Sequence, residues 1–242
     1  MVLKTDAGRI GMQEESKAIE ESAKAIQEVA KAAVAYQPSI QDVGGFFVRL
    51  MAPAEQVLGL LADYIKGRRL ELAVRQEAYI RELMDQRGVS SIKRMPLSTA
   101  VPLIDAATLE EDDDLARMFA NLIVSHVDGT SDGYVPKQFT ETLRQMSPLE
   151  AAVLKAMGGA PEGAKNESGM MHTAKLPNSY LDAPTPEDKD IAQPGKLLSI
   201  ALASLQQSGC IEGAMAWGGY KLLSQARVTE YGRAFLDAVA PV

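Results

Sequence analysis

Five consecutive acidic residues, Glu110 to Asp114, are the densest group of potential metal ligands in the sequence. On a helix, successive side chains point about 100° apart, so only pairs such as Glu110 with Asp113, or Glu111 with Asp114, share a face. Hard cations take about six to eight oxygens, more than such a pair offers. The run is better explained as negative charge at a helix start, where it complements the macrodipole. His126 and His172 are the two histidines, and Cys210 is the one cysteine. Zinc would need carboxylates from elsewhere, and no HExxH spacing exists. His126 falls near a predicted helix C-terminus, where the dipole favours its charge, and Cys210 reads as a core residue. Neither a GxSxG elbow nor a Cys–His nucleophile signature occurs. Gly158-Gly159 and Gly218-Gly219 lack a P-loop lysine. These residues imply no catalytic centre, no metal site and no cofactor.

The elements that carry them read as helices. Met12 to Tyr36 is Ala-rich and free of Gly and Pro, with Ile19, Ala23, Ile26, Ala30 and Ala33 at helical spacing. Alanine buries little area, so this helix is expected to dock loosely or to oligomerise. Val43 to Ala62 is the most apolar run, interrupted by Arg49, Pro53 and Glu55. It reads either as two short buried helices meeting near Pro53, or as an interfacial segment. In the second case Phe46, Phe47, Leu50 and Met51 form a candidate membrane or partner face. Asp63 to Arg87 is a helix rich in Arg and Glu, with Glu71 and Arg75 spaced to pair, a solvated charged face and Gly88 as its C-cap.

Leu97 to Ala107 is a short helix or turn punctuated by Pro96 and Pro102. Thr108 and Glu111 have capping-box spacing ahead of a helix reaching about His126, and Ser147 with Glu150 repeat it ahead of a helix to about Met157. Between these lies a shorter helix over Pro136 to Met146. Residues 158–194 are rich in Gly, Pro, Ser, Asn and Asp without periodicity, and are expected to be mobile or ordered by a partner. A helix over Gly195 to Ser208, two strands (Cys210–Glu212 and Tyr220–Val228) and a helix capped by Thr229 follow. That order suggests a winged-helix module. As a nucleic-acid reader it would rely on Lys196, Lys221 and Arg227, few charges for phosphate contacts.

Composition agrees with a helical, globular chain. Of 242 residues 46% are hydrophobic but only 5% aromatic, so Leu, Ile, Val, Met and Ala must fill the core. A net charge of -7 argues against broad nucleic-acid binding. One cysteine and the lack of an apolar h-region near Met1 point to a reducing, cytoplasmic location.

Two segments then carry a resemblance. MPLSTAVPLIDAATLEEDDDLARMFANLIVSHVD (Met95 to Asp128) and FTETLRQMSPLEAAVLKAM (Phe139 to Met157) resemble the core signature of the bacterial abortive-infection alpha family. The match rests on Pro96, Pro102, Glu110, Glu111, Leu115, Ala120, Asn121 and Leu122, then on Ser147, Pro148 and Leu149. It spans roughly Lys31 to Met157. Residues 158–194 depart from it as an insertion, and Met146 stands where a leucine is usual. The resemblance implies a role in phage defence and supplies no catalytic residue set.

The expected fold is therefore mainly α: an N-terminal helix (1–38), a helical domain (39–135) and a winged-helix-like module (136–242) with a short β-hairpin. The expected function is a non-catalytic anti-phage factor acting on a protein or a membrane, cytoplasmic until activation. A protein partner or self-association is expected, with no small-molecule substrate implied. The alternatives are a nucleic-acid-binding regulator and an oligomeric scaffold.

Overall fold

The computed structural model describes residues 45–51, 68–130, 133–185, 191–215 and 221–240. The Met12–Tyr36 helix and all of the Val43–Ala62 run except 45–51 lie outside these residues. Within them the chain is mainly helical, with one small antiparallel sheet.

Helix α1 (Arg68–Gln86) buries Leu70, Ala73, Gln76, Ile80 and Leu83, a three- and four-residue spacing that makes one inward stripe. It ends at Gly88, whose φ of +63° places the chain in the left-handed region that favours glycine. Helix α2 (Leu97–Ala107) carries Pro102 inside it and buries Leu103, Ile104 and Ala107. Helix α3 (Asp113–Val127) is the centre of the molecule. Ten of its residues are buried, from Leu115 to Val127, and it touches α1, α2 and three helices that follow it in the chain.

The helix start before α3 differs from the sequence expectation. Thr108 closes α2, its hydroxyl donating to the Ile104 carbonyl at 2.9 Å, and forms no capping box with Glu111. Asp112 caps α3 instead, its carboxylate accepting the Leu115 amide at 3.0 Å. The Asp112 amide in turn donates to Glu110 Oε1 at 2.8 Å. A carboxylate accepts an end amide more strongly than a hydroxyl, and it brings charge to the positive end of the helix. The acidic run offers that group after a turn long enough to leave α2.

Helices α4 (Gln138–Arg144) and α5 (Pro148–Gly158) follow. The Ser147–Glu150 capping box opens α5 as expected, with proline at its first turn. The described part of 158–194, residues 158–185 and 191–194, is not a structureless loop, because the chain itself orders much of it. Its residues form a 3-10 turn (Glu162–Ala164), bury Ala160, Met171 and Leu176, and supply strand β1 (Met171–His172). Thr173 Oγ1 donates to the Leu223 carbonyl at 2.6 Å, and Tyr180 reaches the Ala156 carbonyl at 2.9 Å. A two-residue strand has no period to read, so composition alone suggested a loop.

Helix α6 (Lys196–Gln207) leads into β2 (Ile211–Met215) and β3 (Lys221–Val228), and α7 (Glu230–Val239) ends the described chain. The sheet order is β1-β3-β2, antiparallel, with an irregularity at Gly213/Ala214. Helix, β1, helix, β2, β3 is an order compatible with a winged helix. The core is one cluster running from Phe46 to Val239, with Phe139 edge-on to both Tyr231 and Phe235.

Helix α7 starts where Thr229 Oγ1 accepts the Gly232 amide at 2.9 Å. A Cβ on Gly232 would lie 2.0 Å from the Cys210 carbonyl oxygen, a backbone atom with no rotamer to yield. Gly232→Ala is therefore expected to cost about 3 kcal/mol or more of stability, read as a lower urea midpoint. Gly163→Ala, where nothing lies within 4 Å, is expected to fall within about 1 kcal/mol of the parent. Equal midpoints for the two variants would contradict the packing of α7 against the β2 start.

Candidate functional site

Two arginines of α1, Arg69 and Arg75, reach neighbouring elements rather than standing on a solvated face, while Arg81 stays exposed. Arg69 pairs with Asp105 and hydrogen-bonds Thr108, fastening α1 to the end of α2. Arg75 turns away from Glu71. Its Nη1 donates to Asp113 Oδ1 at 2.7 Å and its Nη2 to the Glu110 carbonyl at 2.6 Å, so it binds the turn ahead of α3. The i,i+4 pair that does form is Glu77 with Arg81, at 2.6 Å. Carboxylates of the acidic run are thus engaged in capping and in cross-element pairs, Asp114 with Lys155 among them at 3.5 Å. Pairs this exposed contribute about 0–1 kcal/mol each and chiefly fix orientation.

Residues 45–51, most of them helical, place Phe46, Phe47, Leu50 and Met51 in the core, at 6%, 0%, 1% and 3% exposure. The Arg81 guanidinium lies 4.6 Å from the Phe46 ring centroid. The Met95 amide donates to the Leu50 carbonyl at 3.0 Å, tying the segment to the start of α2. The candidate membrane or partner face is therefore covered in this structure. Among the described residues no helix is long and apolar enough to cross a membrane.

The three candidate nucleic-acid contacts are not alike. Arg227 faces Glu212 across the β2–β3 ladder and donates to its carboxylate at 3.0 Å, which neutralises the charge locally. Lys221 opens β3 opposite Met215, and its side chain lies outside the description. Lys196 is exposed at the first position of α6. The residues beside it on the outward face of α6 are apolar: Leu197 is 73% and Ile200 58% exposed, while Ala201, Leu202 and Leu205 face the core. Met215 and Leu222 on the hairpin are exposed as well.

Sequence reasoning missed one polar assembly. Arg87 donates to Asn121 Oδ1 at 2.6 Å, to Ser125 Oγ at 3.0 Å and to the Ala240 carbonyl at 3.2 Å. Ser125 donates to the Ala238 carbonyl at 2.9 Å. A cation just past α1 and a hydroxyl of α3 thus satisfy carbonyls at the end of α7, as helix C-termini favour. Burial lowers the Arg87 pKa, opposed by the Asp128 charge. The polar Asn121 and Ser125 within an apolar helix were the available signal.

His126 also differs from expectation. It lines a cavity with Lys93 and Tyr134, and burial followed by the Lys93 charge pushes its pKa down to about 4. It is therefore neutral near pH 7, so charge–dipole attraction does not explain its place. Cys210 is buried, and burial raises its thiol pKa.

The family model described as abortive infection alpha matches residues 71–214, more than half of the chain. The matched span starts at Glu71, well after the Lys31 at which the sequence resemblance begins, and continues past Met157 through residues 158–194, α6 and most of β2. No curated protein and no solved structure matches the chain.

The low pKa of His126 makes stability depend on acidity. Unfolded, His126 takes up a proton around 6.5, and folded only around 4. Between those values the unfolded state binds more protons, so stability falls as pH drops through the window. About 2 kcal/mol is expected to be lost between about pH 7 and about pH 5. Asp128, held below the usual carboxylate range first by the Thr130 hydroxyl, titrates lower still. Urea midpoints of His126→Gln should lose this part of the pH slope, and an unchanged slope would contradict it.

Proposed function

This chain belongs to the abortive infection alpha family, and from that membership we propose that it is a non-catalytic, cytoplasmic anti-phage factor of bacteria that acts by binding another protein. The observation that carries the proposal is the outward face of α6. In a winged helix this position enters the major groove and meets phosphates with several Lys and Arg side chains. Here it presents Leu197 and Ile200, with Lys196 as the one basic residue of the helix. Exposed apolar side chains grouped on one element favour a protein surface over a phosphate backbone. The neutralised Arg227 points the same way.

Membrane action would require Phe46, Phe47, Leu50 and Met51 to leave the core. Each such side chain costs about 1.5–3 kcal/mol to expose. Contact through α6 needs no such opening, which is why the protein-binding form is preferred.

The test is phage challenge of bacteria expressing the chain. The Leu197→Asp/Ile200→Asp pair is expected to lose protection, with plaque counts returning to those of the unprotected host and an unchanged thermal midpoint. Lys196→Ala is expected to protect like the parent. Protection lost in Lys196→Ala, together with DNA binding that weakens steeply with salt, would replace this reading with the nucleic-acid one.

A further inference from the structure

Along its 12 residues α6 carries one charge, Lys196, and no acid. The chain around it holds 32 acidic residues and a net charge of -7. The outward side of the helix is graded in size. Lys196, Leu197 and Ile200 are exposed in its first half; in the second, Ala203 and Gln207 are exposed and Ser204 is half-buried. A hollow of about 250 Å³ opens at that second half, lined by Ser204 and Gln207 of α6 and by Thr142 and Gln145 at the end of α4. Lys196 stands at the first position of the helix, where the macrodipole disfavours a cation.

We infer that the partner of this face is a second copy of the chain, with the two α6 helices antiparallel about a two-fold axis at Ile200. The inference rests on the protein-binding reading of α6 and names the partner. In a two-fold contact one surface meets itself, so position 196 comes opposite 204 and 197 opposite 203. Lys196 and Leu197 of each copy then lie over Ala203 and Ser204 of the other, large on small. The hollow leaves room there for the Leu197 side chain. A parallel pairing would set large on large and small on small, which packs poorly.

Charge favours the same arrangement. Two bodies of like net charge repel over most of their surfaces, and α6 brings no acid to the contact. Lys196 moves from the positive end of its own helix to the negative half of its neighbour's. The two Lys196 charges stay roughly 12 Å apart along the pair, beyond a Debye length of about 8 Å. A helix of 12 residues is about 18 Å long, and its strip falls short of the roughly 800 Å² each partner gives to a standard interface. The dimer is accordingly weak, with a dissociation constant on the order of 10 µM.

Sedimentation of the full-length chain from about 1 to about 200 µM reads the association. The mass is expected to rise from the 26.0 kDa of one chain toward twice that value. Leu197→Asp/Ile200→Asp is expected to associate about tenfold more weakly or worse, with its thermal midpoint unchanged because both side chains are exposed. Ala203→Leu adds apolar area, yet it is expected to weaken association about tenfold by filling the place of the second copy's Lys196. Tighter association in that variant would overturn the antiparallel pairing. A chain monomeric at every concentration, or a dimer that the aspartate pair leaves intact, would overturn the second copy as partner. Phage challenge separates this from the reading beneath it. Protection lost by the aspartate pair in a chain that never dimerises would keep α6 as a protein-binding face and overturn only its partner. Protection kept by an aspartate pair that no longer dimerises would support the pairing and overturn the role of α6 in defence.

Discussion

Burial of α3 is the constraint on which the rest depends. Ten of its residues, from Leu115 to Val127, are shielded from water. One neighbouring helix covers only one stripe of another, so a helix buried this widely needs partners on several sides. The chain supplies α1 and α2 before it, and α4, α5 and α7 after it. Elements far apart in sequence are thereby built around one rod, in one continuous core from Phe46 to Val239.

A helix so enclosed must still satisfy its ends and its few polar side chains. Asp112 and the Arg75 contacts attend to the start, where charge and unpaired amides meet. Toward the other end, Asn121 and Ser125 receive Arg87, and Ser125 donates to the Ala238 carbonyl of α7. Gln76 of α1 donates to the Ala116 carbonyl at 3.0 Å from a fully buried position. These polar contacts orient the helices about α3, while the apolar surface supplies most of the stabilisation.

Much of this was legible in the sequence where a local rule decides the outcome. The Ser147–Glu150 box, the Thr229 cap and the left-handed glycine at 88 follow from chemistry within a few residues of each other. The Thr108 box failed because two caps competed within five residues, and the geometry between α2 and α3 chose Asp112. The destination of Arg75 and the Arg87 assembly were not legible, since both join residues more than thirty positions apart. Strand β1 was hidden for a related reason: its identity lies in its partner β3 rather than in Met171 and His172. Of the candidate site residues, Lys196 is exposed as a contact residue must be, whereas Phe46, Phe47, Leu50 and Met51 carry an apolar pattern common to core and surface helices.

The irregularity in the β2–β3 ladder divides the hairpin in two. Before Gly213 the strands are in register with the core, with Glu212 opposite Arg227; after it, Ala214 and Met215 meet Leu222 and Lys221 in a shifted register. A Cβ at Gly213 would lie 2.8 Å from the Leu222 carbonyl oxygen, so the offset depends on that glycine. The outer ladder, bearing the exposed Met215 and Leu222, is thus decoupled from the inner one that the fold requires. The inner ladder carries the buried Ile211, Ala226 and Val228, so a change at Met215 or Leu222 alters the exposed tip without entering the core.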